Sequence, residues 1–584
     1  MTIKSRRSTS NTRGPLDTPP IYVQRSRAYA YQAKKAVSSA NNDNKTSRNR
    51  IFITALSFIA IYLLLNSDFI YRRKAANSIN EEKEQIQNVI SSSLMDGDSS
   101  SAIIISEDEI SISKVLHDAA ERAVGEQLLP NEAIFVSAAT SLSPVTDKVT
   151  THKYYPMYGR FLLPYYKRIP NMKMLEIGLG CDMNYEPGAS VALWKKLFPK
   201  ANLWEAEYNE TCVDISTKQG KLDGFNTLVG DQGNNATLDK WIDKSGGEFD
   251  VIIDDGGHHN CQIMASFIKL WPTIKPGGLY FIEDIQVGKW RGFRRYSTAT
   301  CDKSFTFSDK LQEWLEDLIY QGGYGSHKWD VHFMHCQAEA CVLGKKPPQT
   351  TLSDQLVNTE LLPEERLFVE TAGALSPITD KITTHSFYTM YGQFLLPYYK
   401  RKPGMKMLEI GLGCDMNYEP GASVALWKKL FPQANLWEAE YNATCVDIST
   451  KQGKLDGFNT LVGDQGNNNT LDGWIEKSGG EFDVIIDDGG HHNCQIMASF
   501  IKLWPTLKPG GLYFIEDLSV GKWMGYRKYS TATCPTTFIF SDKLREWLED
   551  LIYQGGYGSR KWDVHFMFCQ AEACVLGKKP PAVL

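Results

Sequence analysis

The sequence predicts an α/β fold that is built twice, each copy being a mostly parallel sheet with helices on both faces and a closing antiparallel hairpin. The first observation behind this prediction is an internal repeat, because positions 131–347 match positions 364–580 at a constant offset of 233 residues with about 85% identity. The second is the alternation of strand-like and helix-like segments inside each copy. A period this long far exceeds that of solenoid repeats, so each copy is predicted to be a whole domain.

The region before the repeats divides into three parts. Residues 1–50 carry eleven Lys and Arg against two Asp and lack an apolar period, which predicts a disordered basic tail. Residues 51–71 form a nearly uncharged apolar run that is long enough for a transmembrane helix, with a buried core helix as the alternative. Residues 72–130 are predicted to be a stem. The excess of basic residues before the run predicts a cytosolic tail and luminal domains, which is type II topology with a single membrane-spanning helix.

Two further features fit a luminal location in the endoplasmic reticulum or Golgi. Within the two repeats, four Asn-X-Thr acceptor motifs occur, at Asn209, Asn235, Asn442 and Asn468. The twelve cysteines divide equally between the repeats, and a pair brackets each predicted hairpin turn, Cys336 with Cys341 and Cys569 with Cys574. Such pairs are either disulfides or buried free thiols. The net charge of -5 disfavours a nucleic-acid partner.

The elements of repeat one follow in order. The predicted strands are Lys173–Ile177, Asn202–Tyr208, Phe225–Val229, Asp250–Ile253, Gly278–Ile282 and the hairpin of Trp329–Cys336 with Ala340–Gly344. Two helices are read most clearly, at Ala189–Leu197 and at the amphipathic segment Leu311–Tyr320. These segments predict a seven-stranded sheet in each copy, and residues 348–363 are predicted to be a short linker between domain one, 131–347, and domain two, 364–580.

Residues at the ends of the predicted strands indicate a cofactor site. A Glu-x-Gly-x-Gly turn after the first strand lets a backbone approach a ligand, a carboxylate at the end of the second strand suits ribose hydroxyls, and an Asp after the third suits an adenine amino group. The predicted cofactor residues of repeat one are Glu176, Gly178, Gly180, Glu207, Asp231, Gln232 and Asp254. Those of repeat two are Glu409, Gly411, Gly413, Glu440, Asp464, Gln465 and Asp487. A third glycine of the dinucleotide fingerprint is missing, which argues against NAD.

Acidic residues at the ends of the fourth and fifth strands predict a metal site. Asp255, Glu283 and Asp284 offer hard oxygen ligands that suit Mg²⁺, and His258 lies beside them. The same positions recur in repeat two as Asp488, Glu516, Asp517 and His491. The alternative is a pair of capped turns with solvated acids.

The order of these motifs resembles a known family. Glu-x-Gly-x-Gly, Gly-Asp-Gln, Asp-Asp-Gly-x-His and Gly-Gly-Leu-Tyr-x-Ile-Glu-Asp, preceded by Thr146–His152 and Tyr158, resemble the metal-dependent sugar O-methyltransferases of macrolide biosynthesis and the cephalosporin-hydroxylase-like group. The resemblance implies tandem Rossmann-like class I methyltransferase domains that bind S-adenosylmethionine and Mg²⁺. It also implies that His258 and His491 act as general bases. The segment Cys181–Gly188 and the region of Trp290 depart from the family pattern, and His259 beside His258 leaves the identity of the base open.

The function predicted from these residues is an S-adenosylmethionine-dependent, Mg²⁺-assisted O-methyltransferase acting on a hydroxyl of a small glycoside or a glycan. The alternative is a cofactor-binding scaffold with the same fold that is non-catalytic or only partly catalytic, with one repeat or both in that role. An iron hydroxylase is disfavoured, because two histidines and one carboxylate do not cluster in the pattern. His332, His335 and His565 on the hairpins are interpreted as structural.

Overall fold

The computed structural model describes residues 128–181, 187–298, 301–320, 330–348, 361–414, 420–531, 534–553 and 563–580. The predicted basic tail, the apolar run at 51–71 and nearly all of the stem lie outside these ranges. Among the described residues, none of the helices combines the length and the apolar character needed to cross a membrane. The transmembrane prediction, which falls on residues 51–71, therefore stays a prediction.

Repeat one is an alternation of helices and strands that follows the predicted order. Its strands are β1 (Lys173–Ile177), β2 (Asn202–Glu207), β3 (Phe225–Val229), β4 (Phe249–Asp254), β5 (Ile274–Ile282), β6 (Val331–Gln337) and β7 (Ala340–Lys345). Its α-helices are α1 (Pro130–Thr140), α2 (Asp147–Thr150), α3 (Tyr155–Met157), α4 (Leu163–Arg168), α5 (Ala189–Leu197), α6 (Glu210–Lys218), α7 (Asn235–Ser245), α8 (Asn260–Leu270) and α9 (Phe307–Ile319). A π-helical turn, Tyr158–Leu162, joins α3 to α4, and short 3₁₀ helices cover Trp271–Thr273, Ile285–Lys289 and Arg291–Arg294.

Repeat two repeats this pattern 233 residues later. Its strands are β8 (Lys406–Ile410), β9 (Asn435–Glu440), β10 (Phe458–Val462), β11 (Phe482–Asp487), β12 (Leu507–Ile515), β13 (Val564–Gln570) and β14 (Ala573–Lys578). Its α-helices are α10 (Pro363–Gly373), α11 (Asp380–Thr383), α12 (Tyr388–Met390), α13 (Leu396–Arg401), α14 (Ala422–Leu430), α15 (Ala443–Lys451), α16 (Asn468–Ser478), α17 (Asn493–Leu503) and α18 (Phe540–Ile552). Its π-helical turn is Tyr391–Leu395, and its 3₁₀ helices are Trp504–Thr506, Leu518–Lys522 and Met524–Arg527.

Local sequence explains where these elements begin and end. The Asn234 side chain accepts hydrogen bonds from two backbone N–H groups at the start of α7, and Gly246 ends that helix with a positive φ of 76°. Strand β4 is buried along its whole length, as expected for a central parallel strand covered by helices on both faces. The loop that follows β4 therefore begins at the crevice along the carboxyl edge of the sheet.

The strands form one continuous fourteen-stranded sheet, which corrects the prediction of two separate seven-stranded sheets. Within repeat one the order is β3-β2-β1-β4-β5-β7-β6, with β7 antiparallel to its neighbours, and repeat two mirrors it. The edge strands β6 and β13 pair antiparallel and join the two halves. A lone β6 edge would leave a row of N–H and C=O groups unpaired, and pairing with the other repeat removes that edge.

Helices α9 and α18 pack against each other beside this junction, and the contacts follow a pseudo-two-fold pattern. The Tyr320 hydroxyl lies 2.9 Å from Ser541 Oγ, and the equivalent Tyr553 hydroxyl lies 2.9 Å from Ser308 Oγ. Each contact in one direction is thus matched by its counterpart in the other, as at a two-fold dimer interface. The tandem copies form a single compact unit.

All twelve cysteines pair within their own repeats. The disulfides are Cys181–Cys212, Cys261–Cys301 and Cys336–Cys341 in repeat one, and Cys414–Cys445, Cys494–Cys534 and Cys569–Cys574 in repeat two. The two hairpin pairs predicted from spacing are therefore disulfides and not free thiols.

Candidate functional site

A buried lysine lies at the centre of the acidic cluster at the carboxyl edge of the sheet. Lys148, on the short helix α2, places its Nζ 2.6 Å from Asp255 Oδ2, 2.8 Å from Glu283 Oε2 and 3.6 Å from Glu176 Oε1. Burial alone would lower the pKa of Lys148, but the carboxylates of Asp255 and Glu283 raise it well above its usual value. The lysine is therefore a fixed positive charge among carboxylates.

Glu283 is held by two protein groups. One carboxylate oxygen accepts from Lys148, and the other accepts from the Tyr158 hydroxyl on the π-helical turn. The carboxyl group is almost fully buried. Of the three predicted metal ligands, Glu283 is thus the one whose oxygens are turned to the protein interior. To bind a cation, it would have to give up one of these two contacts.

Asp284 faces the open side of the cluster and is oriented by a second set of residues. Its Oδ1 accepts from the Tyr154 hydroxyl at 2.7 Å and lies 3.4 Å from His152 Nδ1. His152 Nδ1 is 2.7 Å from Glu339 Oε2. Burial would lower the pKa of His152, but the hydrogen bond to Glu339 and the charge of Asp284 raise it to about 9.

His258 and His259 have different surroundings, which bears on the question of the base. His258 Nε2 lies 3.7 Å from Asp284 Oδ2 and 3.9 Å from Asp255 Oδ1. His259 instead packs against the rings of Phe293 and Tyr296, and burial lowers its pKa. Only His258 of this pair therefore faces the acidic cluster.

Two residues of the acidic cluster have a backbone conformation that is rare for residues other than glycine. His258 and Asp284 adopt positive φ angles of 53° and 54°. A side chain other than glycine in this region costs about 1–3 kcal/mol, and such residues cluster at functional sites.

The ligand atoms of Asp255, His258 and Asp284 lie within 4.8 Å of one another. The ligand atoms of His152, Asp284 and Glu339 are equally close, but there His152 Nδ1 and Glu339 Oε2 already bond to each other. Two hard carboxylate oxygens at the mouth of the crevice fit Mg²⁺, with remaining positions for water or substrate oxygens. The sequence-predicted set is thus brought together in part, with Asp255 and Asp284 at the mouth and Glu283 behind them.

Part of the predicted cofactor set lines the edge of the sheet as expected. Glu207 ends β2, and its oxygens accept from the backbone N–H groups of Leu179, at 3.1 Å, and Asn209, at 3.0 Å. Gly178 has a φ of 113°, and a Cβ there would lie 2.0 Å from the Asp255 carbonyl oxygen. Gly178 therefore permits the close approach of the β1 and β4 ends, and Gly180, with φ of 81°, continues the turn.

Other predicted cofactor residues are used inside the protein. Gln232 donates to Asp254 Oδ1 at 2.8 Å, and its Oε1 accepts from the Gly257 N–H at 2.8 Å. Asp254 is buried and also accepts from Ser266 and Tyr280. These contacts clamp the loop after β4 and leave both side chains directed inward. Their assignment to the cofactor stays a prediction.

Asp231 and Glu176 are also engaged. Asp231 accepts from Tyr296, Gln262 and the Gly233 N–H, all at 2.8 Å. Glu176 is fully buried, accepts from Ser190 at 2.8 Å, and burial raises its pKa to about 7. Its neighbour in register on β2, Glu205, is equally buried.

Repeat two reproduces the cluster with one difference. Lys381 Nζ lies 2.7 Å from Asp488 Oδ2 and 2.8 Å from Glu516 Oε1, and His491 Nε2 lies 3.5 Å from Asp517 Oδ2. The position of Tyr154 is occupied by Phe387, which has no hydroxyl to donate. The aspartate of site two therefore lacks one hydrogen bond that orients its counterpart in site one. The predicted cofactor residues lie as in repeat one: Glu440 accepts from Leu412, Gln465 donates to Asp487, Asp464 accepts from Tyr529, Glu409 accepts from Ser423, and Gly411 and Gly413 have positive φ.

Four residues of the site were not predicted from the sequence, namely Lys148, His152, Tyr154 and Glu339. A signal for Lys148 existed, because four acids at neighbouring strand ends need a cation nearby if most are ionised. His152 and Tyr154 follow Lys148 closely in sequence, and Glu339 lies in the hairpin turn. No pattern in the sequence shows that these segments fold over the strand ends.

Curated proteins with similar sequences are O-methyltransferases. Mycinamicin VI 2''-O-methyltransferase of Micromonospora griseorubida is 36% identical over 144 residues, which is 24% of this chain and 34% of that protein. Demethylmacrocin O-methyltransferase of Streptomyces fradiae is 32% identical over 222 residues, 35% of this chain and 54% of that protein. A rhamnosyl tetracenomycin-C 2'-O-methyltransferase of Streptomyces olivaceus is 30% identical over 190 residues, 32% of this chain and 48% of that protein. The alignments thus span between about a third and a half of these relatives.

Among solved structures, the MycE methyltransferase in complex with Mg, SAH and mycinamycin VI is 25% identical and aligns with a TM-score of 0.30 over 43% of this chain and 66% of that one. No protein-family model matches the chain. These similarities confirm the predicted resemblance: the chain is similar in sequence to O-methyltransferases whose names specify mycinamicin VI, demethylmacrocin and a rhamnosyl tetracenomycin-C.

Proposed function

We propose that the chain is an S-adenosylmethionine-dependent, Mg²⁺-assisted O-methyltransferase that acts on a sugar hydroxyl. The observation that carries this proposal is the convergence of Asp255, His258 and Asp284 at the carboxyl edge of the sheet. The same three residue types converge in repeat two. In open α/β sheets, ligands bind in the crevice at this edge.

The turn after β1 and the end of β2 would hold the cofactor. Glu207 is fixed by two backbone N–H groups, so its remaining lone pairs are positioned to accept from ribose hydroxyls. The solved MycE complex contains SAH, the product of methyl transfer from S-adenosylmethionine, which supports the same cofactor here.

Residues of the acidic cluster would act on the acceptor hydroxyl. Asp255 and Asp284 would hold Mg²⁺, which when bound supplies a positive charge that favours a deprotonated hydroxyl. His258 faces the same point and would remove the proton from that hydroxyl as its oxygen attacks the sulfonium methyl carbon, while the bond from that carbon to sulfur breaks and SAH leaves. Lys148 keeps Asp255 in place from behind, and Tyr154 and His152 do so for Asp284. Holding the two reactants in line supplies much of the remaining acceleration.

The acceptor that we propose is a small glycoside or a glycan. The relatives' names specify methyl transfer to the 2'' oxygen of mycinamicin VI and to the 2' oxygen of a rhamnosyl tetracenomycin-C. Neighbouring hydroxyls of a sugar chelate a cation in a way that a single alcohol does not. The chain's net charge of -5 fits a neutral acceptor better than a polyanion.

The proposal is tested with a matched pair of double variants. His258→Ala with His491→Ala removes the proposed base from both sites, and His259→Ala with His492→Ala removes the neighbours that face aromatic rings. With labelled S-adenosylmethionine and a panel of glycosides that includes mycinamycin VI, the first variant should lose turnover by a factor of 10²–10⁴, while SAH affinity by calorimetry stays the same. The second variant should keep most of its turnover. Unchanged turnover in the first variant, with loss in the second, would reject the assignment.

Mg²⁺ dependence is tested separately. Turnover should fall to background in excess chelator and return on adding Mg²⁺. Asp255→Asn with Asp488→Asn should raise the Mg²⁺ concentration needed for half-maximal turnover. Turnover that is indifferent to chelator would exclude a metal-assisted reaction.

A non-catalytic scaffold is the second candidate, and the retained site residues in both copies disfavour it. Repeat two keeps Lys381, Asp488, His491 and Asp517 in the same arrangement as repeat one. Site two differs at Phe387, so unequal activity of the two sites is expected before complete loss of one.

We also propose that residues 51–71 anchor the protein and that the two repeats lie in the lumen of the endoplasmic reticulum or Golgi. Pairing of all twelve cysteines in disulfides supports an oxidising compartment. Asn235 and Asn468 are exposed at the starts of α7 and α16, whereas the side chains of Asn209 and Asn442 cap α6 and α15. Glycosidase treatment of the cellular protein should therefore remove glycans mainly from Asn235 and Asn468. An unglycosylated protein would argue against a luminal location.

A further inference from the structure

The turn between β6 and β7 contributes a carboxylate to the candidate site of its own repeat. Glu339 lies in this turn with a positive φ of 72°, and its side chain contacts His152, as described above. Its carbonyl oxygen accepts from the N–H of Ile285 at 2.9 Å. Ile285 directly follows Asp284, so the turn supports the aspartate from both the His152 side and the backbone side.

The same turn is attached to the other repeat. The Glu339 N–H donates to the carbonyl oxygen of Ile552, the last residue of α18, at 3.2 Å. In the opposite direction, the Glu572 N–H donates to the carbonyl oxygen of Ile319, the last residue of α9, at 3.2 Å. Each turn is therefore held by the helix end of the opposite repeat.

A buried tyrosine fixes each of these helix ends. Tyr553 follows Ile552, is 1% exposed, and its hydroxyl contacts Ser308 of repeat one. Its ring lies 4.1 Å from the ammonium of Lys289, which also pairs with Glu549 of α18. Lys289 ends the 3₁₀ helix that begins directly after Asp284. Tyr553 thus touches repeat one on the segment that leads out of its candidate site.

Tyr320 does the same for repeat two. It is 1% exposed, its hydroxyl contacts Ser541, and the ammonium of Lys522 lies 4.1 Å from its ring. Lys522 ends the 3₁₀ helix that follows Asp517. The arrangement is reciprocal, so segments beside each candidate site contact the other repeat.

We propose that each repeat positions the candidate site of the other, with Tyr553 and the end of α18 acting on site one and Tyr320 and the end of α9 acting on site two. These tyrosines are positioning residues, since they touch neither the acidic cluster nor the strand-end crevice. The inference rests on the proposed function only in treating Asp284 and Asp517 as site residues. It explains why the tandem copies share one sheet, because a lone copy would lack the helix end that holds its hairpin turn.

The crossed arrangement is tested by hydrogen exchange on the full chain carrying Tyr553→Ala or Tyr320→Ala. The two turns have the same sequence, but peptides that contain them differ in mass, because His335 stands before one turn and Phe568 before the other. Tyr553→Ala should speed exchange in the repeat-one turn, at Glu339, by about tenfold and leave the repeat-two turn within about twofold of the unmodified chain. Tyr320→Ala should do the reverse.

Other patterns overturn the proposal. Faster exchange at both turns would show general destabilisation, faster exchange only in the mutated repeat would show a local effect, and unchanged exchange would show that the helix ends do not hold the turns. If the alanine variants do not fold, Tyr553→Phe and Tyr320→Phe keep the ring packing and remove only the hydroxyl contacts with Ser308 and Ser541. The same crossed pattern, at smaller amplitude, is then expected.

Turnover gives a second measurement. In a chain with His491→Ala, only site one can act, and Tyr553→Ala should lower its kcat by about tenfold with SAH affinity within about twofold, because the effect is on geometry and not on cofactor contacts. In the same chain Tyr320→Ala should leave kcat nearly unchanged. If the unmodified chain shows no methyl transfer at all, the proposed function fails, whereas the exchange experiment still decides the crossed positioning.

Discussion

The Nζ of Lys148 lies 2.8 Å from Glu283 Oε2, with both side chains at most 2% exposed. The lysine therefore balances buried negative charge directly behind the two aspartates that face the crevice. A buried ion pair contributes little net stability relative to an apolar pair, but removing one partner leaves an uncompensated buried charge. This relationship makes the lysine, and not only the acids, essential to the shape of the candidate site.

Replacing Lys148 with methionine should therefore be costly. Lys148→Met keeps the length of the side chain but removes its charge, and we expect the free energy of unfolding of the repeats to fall by about 3–5 kcal/mol. Urea unfolding followed by tryptophan fluorescence measures this loss. Lys167→Met, on an exposed lysine that contacts Asn131, is the control and should change stability by less than about 0.5 kcal/mol. Equal effects of the two substitutions would contradict the charge-balancing role.

His152 and His385 should make stability depend on pH. The pKa of each is raised from 6.5 to about 9, where burial opposes the change and hydrogen bonds to Glu339 and Glu572 produce it. A pKa that is higher in the folded state adds stability that is complete below pH 6.5 and is lost as the pH rises through about 9. The free energy of unfolding in chelator should thus fall over this window, and His152→Gln with His385→Gln should flatten the fall.

His332→Gln is the control for this pH dependence. Burial lowers the pKa of His332 to about 4. Above about pH 8 this residue is therefore neutral in the folded and in the unfolded chain. Its replacement should shift the stability curve almost uniformly between about pH 8 and pH 10 and leave the fall itself in place. If the free energy of unfolding still falls over this pH window in the His152 and His385 variants, other groups cause the pH dependence.

The two candidate sites should differ because Tyr154 is replaced by Phe387. The Tyr154 hydroxyl donates to Asp284, and a hydrogen bond to a charged group contributes about 1.5–3 kcal/mol. In a chain with His491→Ala, Tyr154→Phe should raise the Mg²⁺ concentration for half-maximal turnover by about tenfold. In a chain with His258→Ala, Phe387→Tyr should lower that concentration at site two. No change in either variant would show that the hydroxyl does not orient the aspartate.

Much of the fold was accessible from the sequence because its elements are long, apolar and regularly spaced. β1 and α5 begin and end at the predicted residues, and the hairpin of β6 and β7 lies within two residues of its prediction. The junction of β6 with β13 was not predicted. Edge pairing between strands of different copies depends on which edge meets which, and an alternating apolar pattern on β6 is the same whether its edge is free or paired.

Only some residues of the candidate site could be predicted from the sequence. Asp255, Asp284 and His258 stand in motifs at strand ends, where topology alone brings them to one crevice. Lys148 and Glu339 come from a short helix before β1 and a turn after β6, and their positions depend on how these segments fold over the edge of the sheet. The direction of a carboxylate is also invisible in sequence: Asp254 and Asp255 are adjacent, but one turns into the core and the other toward the crevice.

At the interface between the repeats, Arg160 and its counterpart Gln393 break the pseudo-symmetry. Arg160 Nη1 donates to the Gln393 carbonyl oxygen at 2.5 Å, and its guanidinium lies 4.4 Å from the centre of the Phe394 ring. Position 393 is the repeat-two counterpart of position 160, and its glutamine donates instead to Glu365. Burial lowers the pKa of Arg160 to about 10, which reflects the cost of one buried guanidinium at this junction.

A second guanidinium at position 393 beside Arg160 should destabilise the chain. Exchanging the arginine and the glutamine between positions 160 and 393 should not. Gln393→Arg should destabilise the chain by about 1–3 kcal/mol, because two like charges then share a poorly hydrated interface. In the unmodified chain Arg160 Nη2 also lies 3.8 Å from Glu132 Oε1. Arg160→Gln with Gln393→Arg restores one guanidinium, now beside Phe161 and Glu365, the counterparts of Phe394 and Glu132. Its stability in thermal and urea unfolding should return to within about 1 kcal/mol of the unmodified chain, which is a strongly non-additive result. If the double variant is as unstable as the sum of the two single variants, the two faces of the interface are not interchangeable, and the pairing of the repeats follows from more than their shared architecture.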